Sequence, residues 1–155
     1  GMRTILAFSE AELRKIVETG QYTDPKDSAY VLQTLLERRS IVAQYWLPRV
    51  NPIARFSVEP RAEGIAVNFH DYMVESNLAF KGRTKYEYEI KNSHYKSKKE
   101  TTGDPLILVD RKALDDAPTE IAIRTVRDGT SEETVTIYLF PKPNGQFAVG
   151  RISRG

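Results

Sequence analysis

The chain has 155 residues, 40% of them apolar and 28% charged, with a formal net charge of +2 and no cysteine. That length supports a core without staples, and the balance is that of a globular chain, not a disordered one. The missing cysteines exclude a disulfide framework, thiolate zinc sites and a cysteine nucleophile, and a charge of +2 is too small for a dedicated nucleic-acid binder.

No apolar run approaches the ~18 residues needed to cross a bilayer, so no membrane span is expected. Met2 to Phe8 runs straight into a polar helix start and lacks the pattern of a signal peptide. Gly1 before Met2 has the form of a tag-cleavage scar, which suggests a piece excised from something longer.

The first element is a helix over 10–19. Ser9 and Glu12 form an S-x-x-E capping box, and Phe8 and Leu13 stand at the two positions of a hydrophobic staple. Leu13, Ile16 and Val17 make its apolar stripe, and Gly20 suits a left-handed C-cap. A longer helix follows. Asp24 can cap it, Pro25 suits its first position, and Leu32, Leu35, Leu36, Ile41, Val42, Ala43, Trp46 and Leu47 recur at helical spacing until Pro48.

After Pro52 the period falls to two. Phe56 and Val58, then Ile65, Val67 and Phe69, then Tyr86, Tyr88 and Ile90 alternate with polar residues. Leu106 to Val109 is a continuous apolar run, suited to a strand buried on both sides. Ile121 and Ile123, then Val135, Ile137 and Leu139, then Phe147 and Val149 complete the set, with turns at Asp128-Gly129 and Lys142-Pro143-Asn144-Gly145. About seven short strands with tight turns imply antiparallel pairing.

The expected fold is therefore α+β, with two N-terminal helices (1–52) packed on an antiparallel sandwich (53–155). An immunoglobulin-like arrangement leads and a small open barrel is the alternative. The core should draw on Leu32, Leu36, Trp46, Phe56, Val67, Phe69, Tyr88, Ile123, Ile137 and Phe147.

Few residues offer chemistry. His70-Asp71 closes an apolar strand and could polarise a base or hold a metal, but neighbours on a strand point to opposite faces and do not readily share a ligand. His94 lies among lysines that repel a cation. Asp115-Asp116 and Glu132-Glu133 read as solvated turns, since paired catalytic acids need burial to separate their pKa values. No nucleophile elbow and no glycine-rich phosphate loop is present. The pattern thus points to no catalysis, no cofactor and no metal.

The uneven feature is electrostatic. Over residues 81–99, Lys81, Arg83, Lys85, Lys91, Lys96, Lys98 and Lys99 face only Glu87 and Glu89, a net +5 that leaves −3 for the rest. With Tyr86, Tyr88 and Tyr95 interleaved, such a face could hold a glycan or another polyanion, with Lys81, Arg83, Lys85, Lys96, Lys98 and Lys99 as contacts. The plainer reading is that lysines guard exposed strand edges against aggregation while the tyrosines at 86 and 88 enter the core.

The run from Phe8 to Pro25, Leu35-Leu36-Glu37-Arg38-Arg39, Tyr45-Trp46 and Arg49-Val50-Asn51-Pro52 together resemble the C-terminal part of large, uncharacterised bacterial proteins with the look of exported proteins. In those, a similar helical stretch follows a longer N-terminal region akin to kinase-like folds. The resemblance covers roughly residues 5–56. It implies a C-terminal domain of a larger parent at the cell envelope or outside it, and it carries over no functional residue. The expected role is a non-catalytic accessory or interaction domain whose partner is the rest of the parent chain or another protein.

Overall fold

A computed structural model describes residues 8–155. The readings of Gly1, Met2 and the run up to Ala7 lie outside the described residues. The chain divides into two compact units, one ending at Arg49 and the other beginning at Val50.

The first unit holds α1 (Glu10–Glu18), α2 (Pro25–Trp46) and a 3₁₀ turn at Leu47–Arg49. The capping box forms: the Glu12 amide donates to Ser9 Oγ at 3.2 Å, and the Ser9 amide donates to the Glu12 carboxylate at 2.7 Å. Asp24 accepts from the Lys26 amide at 2.8 Å, with Pro25 in the first turn of α2. At the end of α1 the left-handed residue is Gln21 (φ 49°) and not Gly20. A Cβ at Gly20 would stand 2.7 Å from the exposed Tyr22 ring, which is free to move aside. Val17, Leu32, Ala43 and Leu47 are buried. Trp46 is not: it is 50% exposed, with its ring edge-on to Tyr45. Helical spacing places Trp46 on a stripe with Leu32 and Leu36, but that stripe is wider than the covered face, and Leu36 itself is only half-buried.

The second unit contains eight strands: β1 (Ile53–Arg61), β2 (Gly64–Asp71), β3 (Thr84–Lys91), β4 (Glu100–Thr102), β5 (Leu106–Asp110), β6 (Thr119–Arg127), β7 (Thr130–Pro141) and β8 (Phe147–Arg154). A one-turn helix, α3 (Tyr72–Glu75), follows β2. All strand pairs are antiparallel, in a three-stranded sheet of order β1-β2-β5 and a five-stranded sheet of order β4-β3-β6-β7-β8. Ile53, Ile65, Val67, Phe69, Ile107 and Val109 of the first sheet and Tyr86, Tyr88, Ile90, Ile121, Ile123, Val135, Ile137 and Leu139 of the second bury their side chains in one shared core. The Phe69 and Tyr86 rings meet edge to face across it, 4.9 Å between centroids. The architecture is α+β, with the two sheets layered as in a sandwich.

The turns follow from their sequences. Asp128 (φ 47°) and Gly129 (φ 81°) are both left-handed, which closes the β6–β7 hairpin in two residues with the twist that strands require. Gly64 (φ 152°) opens β2 where only glycine fits, since a Cβ would lie 2.0 Å from the Val109 carbonyl oxygen.

Two strand expectations are corrected. β5 is an edge strand with Leu108 62% exposed, so Leu106 to Val109 is covered on one face only. β4 is an eighth strand that alternation does not announce, because its three residues are all polar.

Candidate functional site

The basic stretch of residues 81–99 spans a 3₁₀ turn (Lys81–Arg83), β3 and the loop to β4. Along β3, Thr84, Tyr86, Tyr88 and Ile90 point inward while Lys85, Glu89 and Lys91 face solvent. Tyr86 is 2% and Tyr88 8% exposed, so neither offers a ring to a ligand. Burial, and a hydrogen bond to the Glu100 carboxylate at 3.0 Å, push the Tyr88 hydroxyl up to about 12. Four of the seven cations have acidic partners: Lys81 with Asp104 (2.9 Å), Arg83 with Asp128 (3.5 Å), Lys91 with Glu120 (2.9 Å) and Lys99 with Glu87 (2.5 Å). Of the sequence-derived contacts, Lys85, Lys96 and Lys98 are exposed and have no ion-pair partner among the described residues.

His70 and Asp71 diverge as strand geometry requires. His70 faces solvent and its Nδ1 lies 2.7 Å from the Glu75 carboxylate, itself exposed. Asp71 points into the protein and is 2% exposed. Both of its oxygens accept from Arg127 Nη2, at 2.9 and 2.8 Å, in a charge-assisted pair. The Tyr86 hydroxyl donates to Asp71 at 2.7 Å, and the Met73 amide, in the first turn of α3, donates at 3.0 Å. Arg127 also donates from Nε to Glu132 at 2.6 Å and from Nη1 to Thr84 at 3.1 Å. The cluster joins β2 of the smaller sheet to β3, β6 and β7 of the larger.

Burial raises the pKa of Glu132, only partly opposed by Arg127, and one of its oxygens has no hydrogen-bond partner. Burial also raises the Tyr86 pKa, and the hydrogen bond to Asp71 adds to that. For Arg127 burial acts downward, yet Asp71 and Glu132 more than offset it and hold the guanidinium above its ordinary value. The cluster is a closed ion-pair network with a protonated tyrosine at its edge.

Glu132 therefore departs from the solvated turn expected of Glu132-Glu133. Arg124 pairs with Thr134 and Val126 with Ser131, so Glu132 and Glu133 together stand opposite Thr125. That extra residue is a β-bulge, and it turns Glu132 toward Arg127. The Glu133 carbonyl, displaced from the ladder, accepts from the Asn51 side-chain amide at 2.8 Å, and Asn51 Oδ1 accepts from Thr125 at 2.9 Å. Asp115 is also engaged: it accepts from Asn92 at 3.2 Å and from the Ala117 amide at 2.7 Å. Among the described residues no group of three or more acidic or histidine side chains is placed to hold a metal ion, and no helix is long and apolar enough to cross a membrane.

Arg127 was absent from the sequence reading, although its signal was there. It is in phase with Ile121, Ile123 and Thr125 on the inward face of β6, as Asp71 is with Ile65, Val67 and Phe69 on β2. An inward arginine requires an inward acid. No protein-family model matches the chain, and comparison with curated proteins finds no similar sequence.

Proposed function

We propose that this chain is a non-catalytic accessory or interaction domain of a larger bacterial protein, built on an immunoglobulin-like sandwich. One observation carries this reading: the buried acid and most of the cations that could serve chemistry or a polyanion are engaged within the fold. Asp71 is bound by Arg127, Tyr86 and the start of α3, and four of the seven cations of residues 81–99 face a carboxylate.

The strand order supports the finer assignment. With β1, β2 and β5 as strands A, B and E, and β3, β6 and β7 as C, F and G, the strand order is compatible with the immunoglobulin plan, with no counterpart of strand D among the named strands; β4 lies beside C, as an added strand does in variable-type domains, and β8 is appended next to G. The resemblance of residues 5–56 to the C-terminal part of large bacterial proteins supports a parent chain.

Heparin chromatography tests the role against its rival, a polyanion-binding module that would use Lys85, Lys96 and Lys98. The expected result is no retention at ~0.15 M salt, since the affinity gained from counterion release scales with the number of contacts and three lysines supply few. Retention of the wild type that is lost on replacing Lys96, Lys98 and Lys99 by Glu overturns the reading in favour of the rival.

A further inference from the structure

A cleft of about 440 Å³ opens at one end of the sandwich, between the β1–β2 hairpin, the segment after β5 and the β7–β8 hairpin. Its volume is in the range of small-molecule sites, roughly 300–1,000 Å³. Val58, Ile65, Leu114 and Phe147 give it apolar walls. Arg111, from the segment following the smaller sheet, and Lys142, from the hairpin of the larger one, also line it.

These two cations differ from those held in ion pairs. Arg127, Lys81, Arg83, Lys91, Lys99 and Lys112 each face a carboxylate, whereas the side chains of Arg111 and Lys142 have no hydrogen-bond or ion-pair partner among the described residues. Two acids share the lining. Asp115 is held by Asn92 and the Ala117 amide, and Asp116 is exposed. Arg61, the remaining cation, lies 3.3 Å from Glu59.

The walls are preformed. The Arg111 amide donates to the Glu63 carbonyl at 2.9 Å and the Leu114 amide to the Arg111 carbonyl at 3.0 Å, which ties the segment after β5 to the β1–β2 turn. Across the cleft, the Lys142 amide donates to Gln146 at 2.7 Å and the Gly145 amide to Lys142 at 2.9 Å. A ligand entering here would order little backbone, which favours binding.

We propose that this cleft binds a small organic acid, its carboxylate held by Arg111 and Lys142 and its apolar body lying against Val58, Ile65, Leu114 and Phe147. The planar guanidinium fork suits a carboxylate, and one cation from each wall makes the head group a bridge between the two sheets. The proposal goes beyond the interaction role and does not rest on it.

Two-dimensional amide NMR of the whole chain tests it, with phenylpropionate as probe. Saturable shifts are expected at residues 58–65, 111–116 and 141–147. The R111Q/K142Q double variant, whose substitutions are at exposed positions and leave the spectrum folded, should bind at least about tenfold more weakly. Phenylpropanol, which lacks the charge, and inorganic phosphate, which lacks the apolar body, should each bind far more weakly than the acid. Absence of saturable shifts, unchanged affinity in the double variant, or equal binding of either control overturns the proposal.

Discussion

Replacing Asp71 by Ala should be among the most destabilising single changes in the second unit. It removes the buried ion pair with Arg127, the acceptor of the Tyr86 hydroxyl and the cap of α3, all at a position 2% exposed. Leaving one partner of a buried pair uncompensated costs about 3–5 kcal/mol. Arg127 keeps Glu132 and Thr84, which pulls the cost toward the lower figure. Loss of the cap adds about 1 kcal/mol, so the expected loss is about 4 kcal/mol. A domain of this kind has a total stability of about 5–15 kcal/mol, and each kcal/mol lowers Tm by about 4–8 °C at roughly 100 residues. Urea denaturation followed by far-ultraviolet circular dichroism reads the change as a lower midpoint with the slope unchanged. A loss below about 1 kcal/mol would refute the reasoning, because the pair would then have to be open to water.

Other consequences are equally specific. Gly64→Ala should destabilise by several kcal/mol, since the Cβ meets the Val109 carbonyl oxygen at 2.0 Å on rigid backbone; a thermal melt within a degree or two of wild type would contradict the β2–β5 pairing. Ser9→Ala should cost about 1 kcal/mol through the capping box, an effect to be read in the helical signal. Trp46, half exposed, should emit as a largely water-exposed indole, and Trp46→Ala should cost much less than the ~3–5 kcal/mol of a core truncation. Tyr88, held up to about 12, should stay neutral well above the ordinary phenol range. Its folded pKa exceeds the unfolded value near 10, so its contribution to stability is complete below about pH 10 and is lost as pH rises through about 12. Phenolate absorbance in native protein should show Tyr86 and Tyr88 ionising only as the fold is lost; early titration of all eight tyrosines would contradict their burial.

What the sequence made legible follows from periodicity. Alternation along β3 put Tyr86, Tyr88 and Ile90 inward, which already argued against a tyrosine-lined polyanion face. The same alternation held the Asp71–Arg127 pair, since both residues occupy inward registers of their strands. Glu132 could not be read this way, because the bulge opposite Thr125 shifts the phase of β7 before Val135. The partners of Lys91 and Lys99 lie across strand pairings or loops, at Glu120 and Glu87, and pairings of strands distant in sequence are not written in local pattern. Leu106 to Val109 shows the limit of composition: an apolar edge strand and a central one look alike until the sheet order places Leu108 in solvent. Trp46 shows the same limit in a helix, where spacing defines a stripe but not its covered width.

The central claim is that the buried Asp71, Arg127 and Glu132 are engaged with one another and not held ready for a ligand. A double-mutant cycle on Asp71→Ala and Arg127→Met tests it most directly. The account predicts that the double variant is more stable than the sum of the two single losses implies, with a coupling within the roughly 0.5–3 kcal/mol found for residues in contact and toward its upper end. Additive losses, with coupling near zero, would show that the two side chains do not stabilise each other and would contradict the account.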